Sequence, residues 1–492
     1  MKRRQLSVRL IPMCLAALIS GCAAGPNFKS PPAAATSQYG ALPLPDKTVA
    51  SDTAGGAAQA FLAGREVPAD WWALYGSEKL NTLVQEALTG SPSVASAQAA
   101  LRQAQANLRA RRASVFPSFD GGLSARRQKF SSSQFGGSGF SDNIFNLYNA
   151  SVTVAYGIDL AGGTRRGIEA QAAAAAAERY VLEATYQTLI ANVVTASVRE
   201  AELRALISAQ EYIVEHQDRL LTMTGLKFKI GAVGRADLLL AQSNLATERA
   251  LLPPLRLRLT QAQNQLAVYV GKLPSEHTVS DFNLDELQLP QEIPVALPST
   301  LVRRRPDVLA AEARLHQATA NVGVATANLF PQITITGAFG TQATAVDQLF
   351  KGDIWNVGAN LTQPLFHAGE LTAKRRAAVA ALAQSAADYR LTVLQAFQNV
   401  ADVLRTLETD AQTLQARYAA DAAAEASLRL SEKQYALGSI ASLNLLIAQQ
   451  QYTRARVGYV QARAARLADT AALFQALGGG WTERNPQAAS AP

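Results

Sequence analysis

Two very long stretches of the sequence are free of residues that break helices. In this chain of 492 residues, residues 164–222 hold one glycine and no proline, and residues 370–437 hold neither. At a rise of about 1.5 Å per residue, helices of these lengths would span about 90 Å and about 100 Å. An ordinary globular domain is much smaller than this, so the sequence predicts an elongated and mainly helical protein.

Shorter predicted helices cover the same distances in pieces. Residues 236–270, interrupted by Pro253–Pro254, and residues 306–329 would span roughly 50 Å and 36 Å. Residues 442–477 and 92–114 together would span about 90 Å. Alanine dominates most of these segments, and small side chains let helices approach closely along their length. We therefore expect a hollow cylinder of long antiparallel helices rather than a solid bundle with a leucine-rich core.

The sequence also contains an internal repeat. Residues 92–117 align with residues 306–331 without a gap and share 12 identities in 26 positions, including the Phe-Pro that ends each segment. Residues 231–271 align in the same way with residues 438–478, and both contain the pattern Leu-Leu-x-Ala-Gln. Repeats of this kind indicate two halves of about 200 residues with one architecture. We place these halves at residues 69–298 and 299–480.

Each half also carries two stretches of alternating apolar and polar residues. The four stretches are about residues 118–127, 148–157, 332–341 and 355–363. Their length and alternation, and the Tyr or Trp near the ends of residues 148–157 and 355–363, are typical of transmembrane β-strands. Ordinary hairpins on a soluble core share this pattern, and four strands cannot close a membrane-spanning barrel unless several chains contribute. No apolar run after residue 21 approaches the roughly 18 residues of a membrane helix.

The amino terminus resembles a bacterial lipoprotein signal. Basic residues at positions 2, 3, 4 and 9 precede an apolar run over residues 10–19 and a small-residue cleavage site before Cys22. Residues 1–21 are thus predicted to be a signal peptide and Cys22 to carry covalent lipid, with ordinary secretion as the alternative. Residues 22–68 are rich in Pro, Ala, Ser and Gly and predict an extended leader without regular structure.

Charge and motifs argue against several classes of function. Removal of the signal would lower the formal net charge from +8 to +4 and leave Cys22 as the remaining cysteine. The arginines are dispersed along helices, which does not favour nucleic-acid binding. The sequence lacks a phosphate-binding loop, HExxH and G-x-S-x-G, so neither an enzyme nor a cofactor or metal site is expected. The histidines stand isolated in the sequence and are expected at the surface where they lie on helices: His216, His277, His316 and His367.

A specific resemblance comes from residues 303–337, RRRPDVLAAEARLHQATANVGVATANLFPQITITG. This segment resembles the signature of TolC-like outer-membrane efflux channels, in particular the NodT-type lipoprotein branch of RND-type tripartite efflux systems. The resemblance extends from residue 22 to residue 481.

The resemblance implies a fold, a location and partners. It implies a homotrimer in which four strands per chain form a shared 12-strand transmembrane β-barrel, joined to a long antiparallel α-helical barrel in the periplasm. The trimer would be a passive exit duct for small molecules, anchored in the outer membrane by lipid on Cys22. Its partners would be a periplasmic adaptor (membrane fusion) protein, an inner-membrane RND or similar transporter, and outer-membrane lipid.

The resemblance also assigns a periplasmic gate to the turns at residues 224–236 and 435–444. Asp237 and Tyr435 match positions that hold the gate closed in the family. Asn444 and Ile447 replace aspartates, and Ile440 replaces a basic residue, so apolar packing is expected to contribute to closure. Asp237 also suits a plain structural role at a helix N-terminus, where a carboxylate is worth a fraction of a kcal/mol.

The segments around the gate complete the predicted domain plan. Gly162 and Gly369 are expected at the joints between strands and long helices, with Pro364 just beyond the last strand, where a missing backbone donor costs least. Residues 165–166 and 374–376 are basic and would contact lipid headgroups or solvent. Residues 271–298 form an equatorial linker, and residues 481–492 form a tail.

Two other functions fit parts of the pattern. The same fold serves as an outer-membrane duct for type I protein secretion, which carries a different cargo. A lipid-anchored periplasmic coiled-coil scaffold without a pore is the alternative from another class, although the alternating hairpins with aromatic ends argue against it.

Overall fold

A computed structural model describes residues 23–32, 36, 38–40, 43–130, 143–276 and 281–480. Helices dominate, and a smaller part of the chain forms strands, as predicted. The helices are α1 Glu78–Gly90, α2 Pro92–Ala113, α3 Gly163–Lys229, α4 Arg235–Ala250, α5 Leu252–Tyr269, α6 Pro298–Arg304, α7 Pro306–Ala327, α8 Glu370–Ala436 and α9 Ser442–Ala476. The strands are β1 Ala60–Ala63, β2 Ser118–Phe130, β3 Asn143–Ile158, β4 Glu292–Val295, β5 Gln332–Ala343 and β6 Asp353–Thr362.

The chain divides into two compact units. The first, which we call the sheet unit, comprises residues up to 31, 100–178 and 310–390. The second, which we call the helix unit, comprises residues 32–99, 179–309 and 391 onwards. Both long helices, α3 and α8, contribute residues to each unit.

Local sequence sets the length of the two long helices. Each is 67 residues long, and each begins directly after a glycine in the left-handed region, Gly162 (φ 74°) and Gly369 (φ 84°). Backbone N–H groups in the first turn of a helix have no partner within the helix. In α3, those of Thr164 (3.0 Å) and Arg165 (2.9 Å) donate instead to the Asp159 side chain. Helix α3 extends to Lys229, beyond the predicted end at residue 222. The added residues include Gly225 and no proline, and a single glycine costs a helix only about 1 kcal/mol.

The shorter helices end where the sequence interrupts them. Helices α4 and α5 meet at Leu251, so the break lies just before Pro253–Pro254. This position follows from the preference of proline for the first turn of a helix, where no backbone donor is needed.

The strands β2, β3, β5 and β6 form one antiparallel sheet in that order. The sheet joins the two predicted hairpins, because Val152 of β3 lies opposite both Gly121 of β2 and Phe339 of β5. Strand β2 continues to Phe130 and β3 begins at Asn143, so both strands are longer than the predicted ranges 118–127 and 148–157. Residues 131–142 lie outside the described part. Backbone pairing with the neighbouring strand forms these extra residues into strand. The sequence did not show this, because the added stretch contains too many polar residues to alternate clearly.

The two faces of this sheet differ in polarity. Register places exposed apolar side chains on one face: Phe119, Leu123, Val152, Phe339, Trp355 and Val357. The opposite face carries polar side chains: Asp120, Ser124, Asn149, Thr153, Gln342 and Asn356. The period of two residues in the sequence thus appears directly as two chemically different surfaces.

The leader is more ordered than its composition predicts. Strand β1 pairs in parallel with β4, and Lys47 forms an isolated bridge with Ala60. The prediction that the leader, residues 22–68, has no regular structure is therefore wrong at Lys47 and at Ala60–Ala63. The strand was missed because its partner lies about 230 residues away and four residues show no measurable periodicity.

The helix unit has an aromatic core. Trp71, Trp72 and Tyr75 are buried, and the Trp71 ring lies 5.1 Å from that of Phe474. The paired tryptophans are therefore packing residues of this core. Within the described residues, no helix is both long and apolar enough to cross a membrane.

Candidate functional site

The candidate site is the pair of turns that connect α3 to α4 and α8 to α9, which we call the tips. Two residues after the end of each long helix lies a glycine in the left-handed region, Gly231 (φ 74°) or Gly438 (φ 75°). At both tips, the backbone N–H of the residue after the glycine donates to a carbonyl five positions back, Ala232 to Lys227 (2.8 Å) and Ser439 to Gln434 (2.9 Å). The same helix ending therefore occurs twice in the helix unit.

Tyr435 is the buried centre of the tips. Its side chain is 3% exposed and packs in a cluster with apolar and aromatic residues of α3, α8 and α9: Ile213, Leu220, Leu428, Leu445 and Tyr452. The hydroxyl groups of Tyr435 and Thr224 are hydrogen-bonded at 3.2 Å. Tyr435 thus ties the end of α8 to α3 by packing and by a polar contact.

Lys227 completes the surroundings of Tyr435. Its Nζ lies 4.0 Å from the centre of the Tyr435 ring and donates to the Tyr435 carbonyl oxygen at 2.9 Å. A cation over an aromatic face and a charged hydrogen-bond donor near a helix C-terminus both stabilise this junction. Sequence reasoning missed Lys227, although a basic residue in the last turn of a long helix was a usable signal.

Asp237 makes two kinds of contact at the tips. Its Oδ2 accepts a hydrogen bond from the backbone N–H of Gly234 (3.2 Å), which closes the first turn of α4. Its Oδ1 accepts a hydrogen bond from the Ser442 hydroxyl at 2.8 Å. Because Ser442 begins α9, this carboxylate also connects the two tips.

The other predicted gate residues lie outside this network. Asn444 is exposed, and Ile447 is 47% exposed. Ile440 is half-buried and packs against the Tyr435 cluster. The described tips therefore combine apolar packing with three polar connections, through Thr224, Lys227 and Asp237.

A polar layer crosses the helix unit next to the Tyr435 cluster. Gln217 Nε2 donates to Gln449 Oε1 at 2.7 Å, and both side chains are buried. His216 Nδ1 lies 2.9 Å from Glu432 Oε1, and its ring is 4.2 Å from that of Tyr212. The expectation of an isolated surface histidine is thus wrong for His216, because packing of α3 against α8 brings a carboxylate to it.

A second histidine is also partnered, in the sheet unit. His316 Nε2 lies 2.8 Å from Glu169 Oε1, and its ring stacks on Phe28 at 4.3 Å. His277 lies outside the described residues. Among those residues, no group of three or more His, Cys, Asp or Glu side chains could hold a metal ion.

The joint before α3 holds the start of the described chain. A Cβ at Gly162 would lie 2.7 Å from Ala23 Cα, so the close approach itself requires glycine. Arg166, 5% exposed, donates from Nε to Ala24 O (3.1 Å), from Nη2 to Asn27 Oδ1 (2.5 Å) and from Nη1 to Glu169 (2.6 Å). The expectation that Arg166 faces lipid or solvent is therefore wrong. Cys22 lies outside the described residues.

The joint before α8 has a simpler structure. Pro364 lies two residues after the end of β6, and Gly369 directly precedes α8. Lys374 pairs with Glu370 on the exposed face of the first turn. A Cβ at Gly369 would meet no backbone, so this glycine is needed for its positive φ alone.

The RRRPD segment is a structural junction of the helix unit. The buried Arg305 donates to both carboxylate oxygens of Asp307 (3.0 and 2.7 Å). It also donates from Nη1 to the carbonyl oxygen of Ala476 at 2.9 Å, at the C-terminal end of α9. Because this end of a helix carries partial negative charge, the guanidinium stabilises it and holds α9 to the start of α7.

Comparison with known proteins identifies the family. The model of the family "Outer membrane efflux protein" matches residues 83–272 and 297–479. The pyoverdine export outer membrane protein OpmQ of Pseudomonas aeruginosa is 29% identical over 425 residues, which cover 85% of this chain and 90% of that protein. The probable efflux pump outer membrane protein TtgC of Pseudomonas putida is 28% identical over 476 residues, which cover 96% of this chain and 95% of that protein.

The solved structures agree with the sequence matches. The outer-membrane channel OprN aligns with a TM-score of 0.84 and 27% identity, covering 94% of this chain and 100% of that one. The chain therefore belongs to the outer membrane efflux protein family. It is an efflux channel of the outer membrane, and the family to which it belongs consists of channels rather than enzymes.

Proposed function

We propose that this chain forms, as a homotrimer, the exit duct of a tripartite efflux pump for small molecules. Three sheets would close into one 12-strand transmembrane barrel, and the two repeats of each chain would contribute to a hollow helical barrel in the periplasm. A periplasmic adaptor and an inner-membrane RND or similar transporter would deliver the cargo and the energy.

The sheet carries this proposal. Within the described residues, β2 and β6 are edge strands that pair on one side only. One face of the sheet exposes large apolar side chains and the other carries polar ones. Backbone groups in a bilayer must be paired, so strands can span it only as a closed barrel. Three copies with four strands each supply the strand number, an apolar outer face and a polar lumen.

Lipid on Cys22 is the second part of the proposal. Ala23 contacts Gly162, and Arg166 holds Ala24 and Asn27, so the residue next to Cys22 is fixed at the joint between β3 and α3. Acyl chains attached to Cys22 would then enter the membrane beside the barrel. No other cofactor is proposed.

The gate is the third part. Tyr435 and Asp237 would hold the tips closed, and Lys227 would act in place of the basic residue that is missing at Ile440. Opening would require the loss of the Thr224–Tyr435 and Asp237–Ser442 hydrogen bonds. These contacts join helix ends to one another, so their loss would leave the long helices intact.

Single-channel conductance in planar bilayers tests both the pore and the gate. We expect rare, small openings for the purified wild-type protein. For Asp237→Ala combined with Tyr435→Phe we expect a roughly tenfold higher open probability, because the two hydrogen bonds that join separate helices at the tips are lost. Asp402→Ala, which changes an exposed carboxylate of α8, is the matched control and should behave as wild type.

The possible outcomes separate the competing functions. If wild type and the double variant are folded and neither conducts, the pore is wrong and the periplasmic scaffold becomes the better explanation. If both conduct equally, the pore stands and the gate lies elsewhere. A conducting protein that supports export of a polypeptide and of no small molecule would favour the secretion duct.

A further inference from the structure

The leader crosses the helix unit as a strap, defined here as residues 43–57. Its backbone carbonyls at Pro43 and Ala50 accept hydrogen bonds from Arg405 (2.7 Å) and Gln415 (3.4 Å) of α8. On the α9 side, the hydroxyl groups of Thr53 and Tyr459 are hydrogen-bonded to each other. The strap thus contacts both helices that lead to and from one tip.

The strap is fastened by a buried cation. Arg466 of α9 is 1% exposed, and its Nη1 donates to Gly55 O at 2.7 Å. Its Nη2 donates to Ala57 O (2.9 Å) and to Thr48 Oγ1 (3.0 Å). Strap carbonyls and one hydroxyl are therefore its direct partners. Burial lowers the pKa of Arg466, and the nearby carboxylate of Asp410 opposes that shift.

A pair of carboxyl groups lies beside Arg466. Asp410 of α8 and Asp469 of α9 are within hydrogen-bonding reach of each other. The Oδ2 atom of Asp410 is buried and has no partner among the described residues. Two carboxyl groups can share a hydrogen bond only if one of them holds a proton. Any link between α8 and α9 through this pair would therefore depend on protonation.

The charged groups around this pair come from three elements. Asp410 lies on α8, Asp469 and Arg466 lie on α9, and Tyr75 faces Asp469 from the helical turn Trp71–Tyr75. Burial, followed by the hydrogen bond and the charge of Asp469, raises the pKa of Asp410 to about 7, and Arg466 opposes the shift. Burial likewise raises the pKa of the Tyr75 hydroxyl, so this group stays neutral.

We propose that Asp410, Asp469 and Arg466 form a proton-dependent latch that fastens the strap over α8 and α9. With one shared proton, the pair carries a single negative charge that balances Arg466. After loss of that proton, two carboxylates repel each other beneath the strap. The helix unit then responds to pH at a point away from the tips, which goes beyond the proposed gate.

The direction of the effect follows from the raised pKa. The folded protein holds the Asp410 proton more tightly than the unfolded chain, where aspartate titrates near its ordinary value of 3.8. The stabilisation is complete below that value and is lost as the pH rises towards about 7. Loosening of the strap should therefore finish slightly above neutral pH.

Hydrogen–deuterium exchange of the strap tests the latch in the full-length purified protein. After correction for intrinsic rates, we expect strap amides of wild type to exchange roughly fivefold faster at about pH 8 than at about pH 6, the factor for loss of one ordinary hydrogen bond. Asp410→Asn keeps a donor towards Asp469 and should abolish this difference, leaving the strap protected at both values. Asp402→Asn, an exposed change on the same helix, should keep the wild-type response.

Two results would overturn the proposal. One is a wild-type strap whose corrected exchange is the same at both pH values. The other is an Asp410→Asn protein that keeps the wild-type response. If Asp410→Asn does not fold, Asp469→Asn provides the same test from the other side of the pair. Arg466→Gln should expose the strap at both values, and protection like that of wild type would show that the cation does not fasten it.

Discussion

Single residues at the tips and joints have more than one role. Asp237 closes the first turn of α4 and also accepts a hydrogen bond from Ser442 of α9. Lys227 covers the Tyr435 ring and binds its carbonyl oxygen. Arg166 joins two leader residues to Glu169. In each case a charged group at a helix end also contacts a second segment.

Arg166→Ala should destabilise the sheet unit. Removal of the guanidinium leaves Asn27 and Glu169 without their donor. We expect the free energy of unfolding to fall by about 2 kcal/mol. This is less than the usual cost of removing one partner of a buried ion pair, because Glu169 is partly exposed. Thermal unfolding of the purified protein measures this. Arg165→Ala removes an exposed neighbour that pairs with Asp159, and it should cost well under half as much; equal losses would contradict the assigned role of Arg166.

At the scale of elements, the helix ends are defined by backbone conformation. The two long helices end at glycines with positive φ and nearly identical hydrogen-bond patterns. The sheet is defined instead by pairing across the chain, which extends β2 and β3 beyond their alternating residues. Helix boundaries therefore follow the sequence closely, and strand boundaries follow the partner strand.

Gly231→Ala and Gly438→Ala should each destabilise the helix unit by about 1 kcal/mol, because a side chain in the left-handed region is strained. Open space surrounds the added methyl group at both positions, so the cost is purely conformational. Gly225→Ala is the control, since this residue lies inside α3 and also faces open space. There alanine should be neutral or stabilising by up to about 1 kcal/mol. Thermal unfolding of the three variants measures these changes. If Gly225→Ala lowered the stability more than Gly231→Ala and Gly438→Ala did, this explanation would be wrong.

At the scale of the whole molecule, the described chain is incomplete as a membrane structure. A four-stranded sheet with two open edges and an exposed apolar face would aggregate or pair with further strands. The proposed trimer would resolve this. Closure of three sheets would satisfy the edges and direct the apolar faces to lipid.

Light scattering on the detergent-purified protein should give a protein mass of three chains. The three-fold number follows from four strands per chain and the proposed barrel of twelve, so a stable species of one or two chains would contradict the proposed assembly. Cys22→Ser should leave this mass unchanged, because the strands and not the lipid close the barrel, and the variant separates anchoring from assembly.

The sequence by itself determined the long helices, their interruptions, the four alternating strands and the family resemblance. These features are local or periodic: proline and glycine end helices through their own backbone preferences, and alternation reports the two faces of a strand. Within the candidate site, Asp237 and Tyr435 were found from the resemblance.

Only the tertiary structure decided which distant residues meet. Lys227 reaches Tyr435 across about 200 residues, Arg466 holds a strap about 400 residues earlier in the chain, and Asp410 faces Asp469 from another helix. An isolated lysine, arginine or aspartate does not indicate its partner. Its surroundings, and hence its protonation, are fixed only when helices pack and water is excluded, because burial and neighbouring charge are properties of the folded chain.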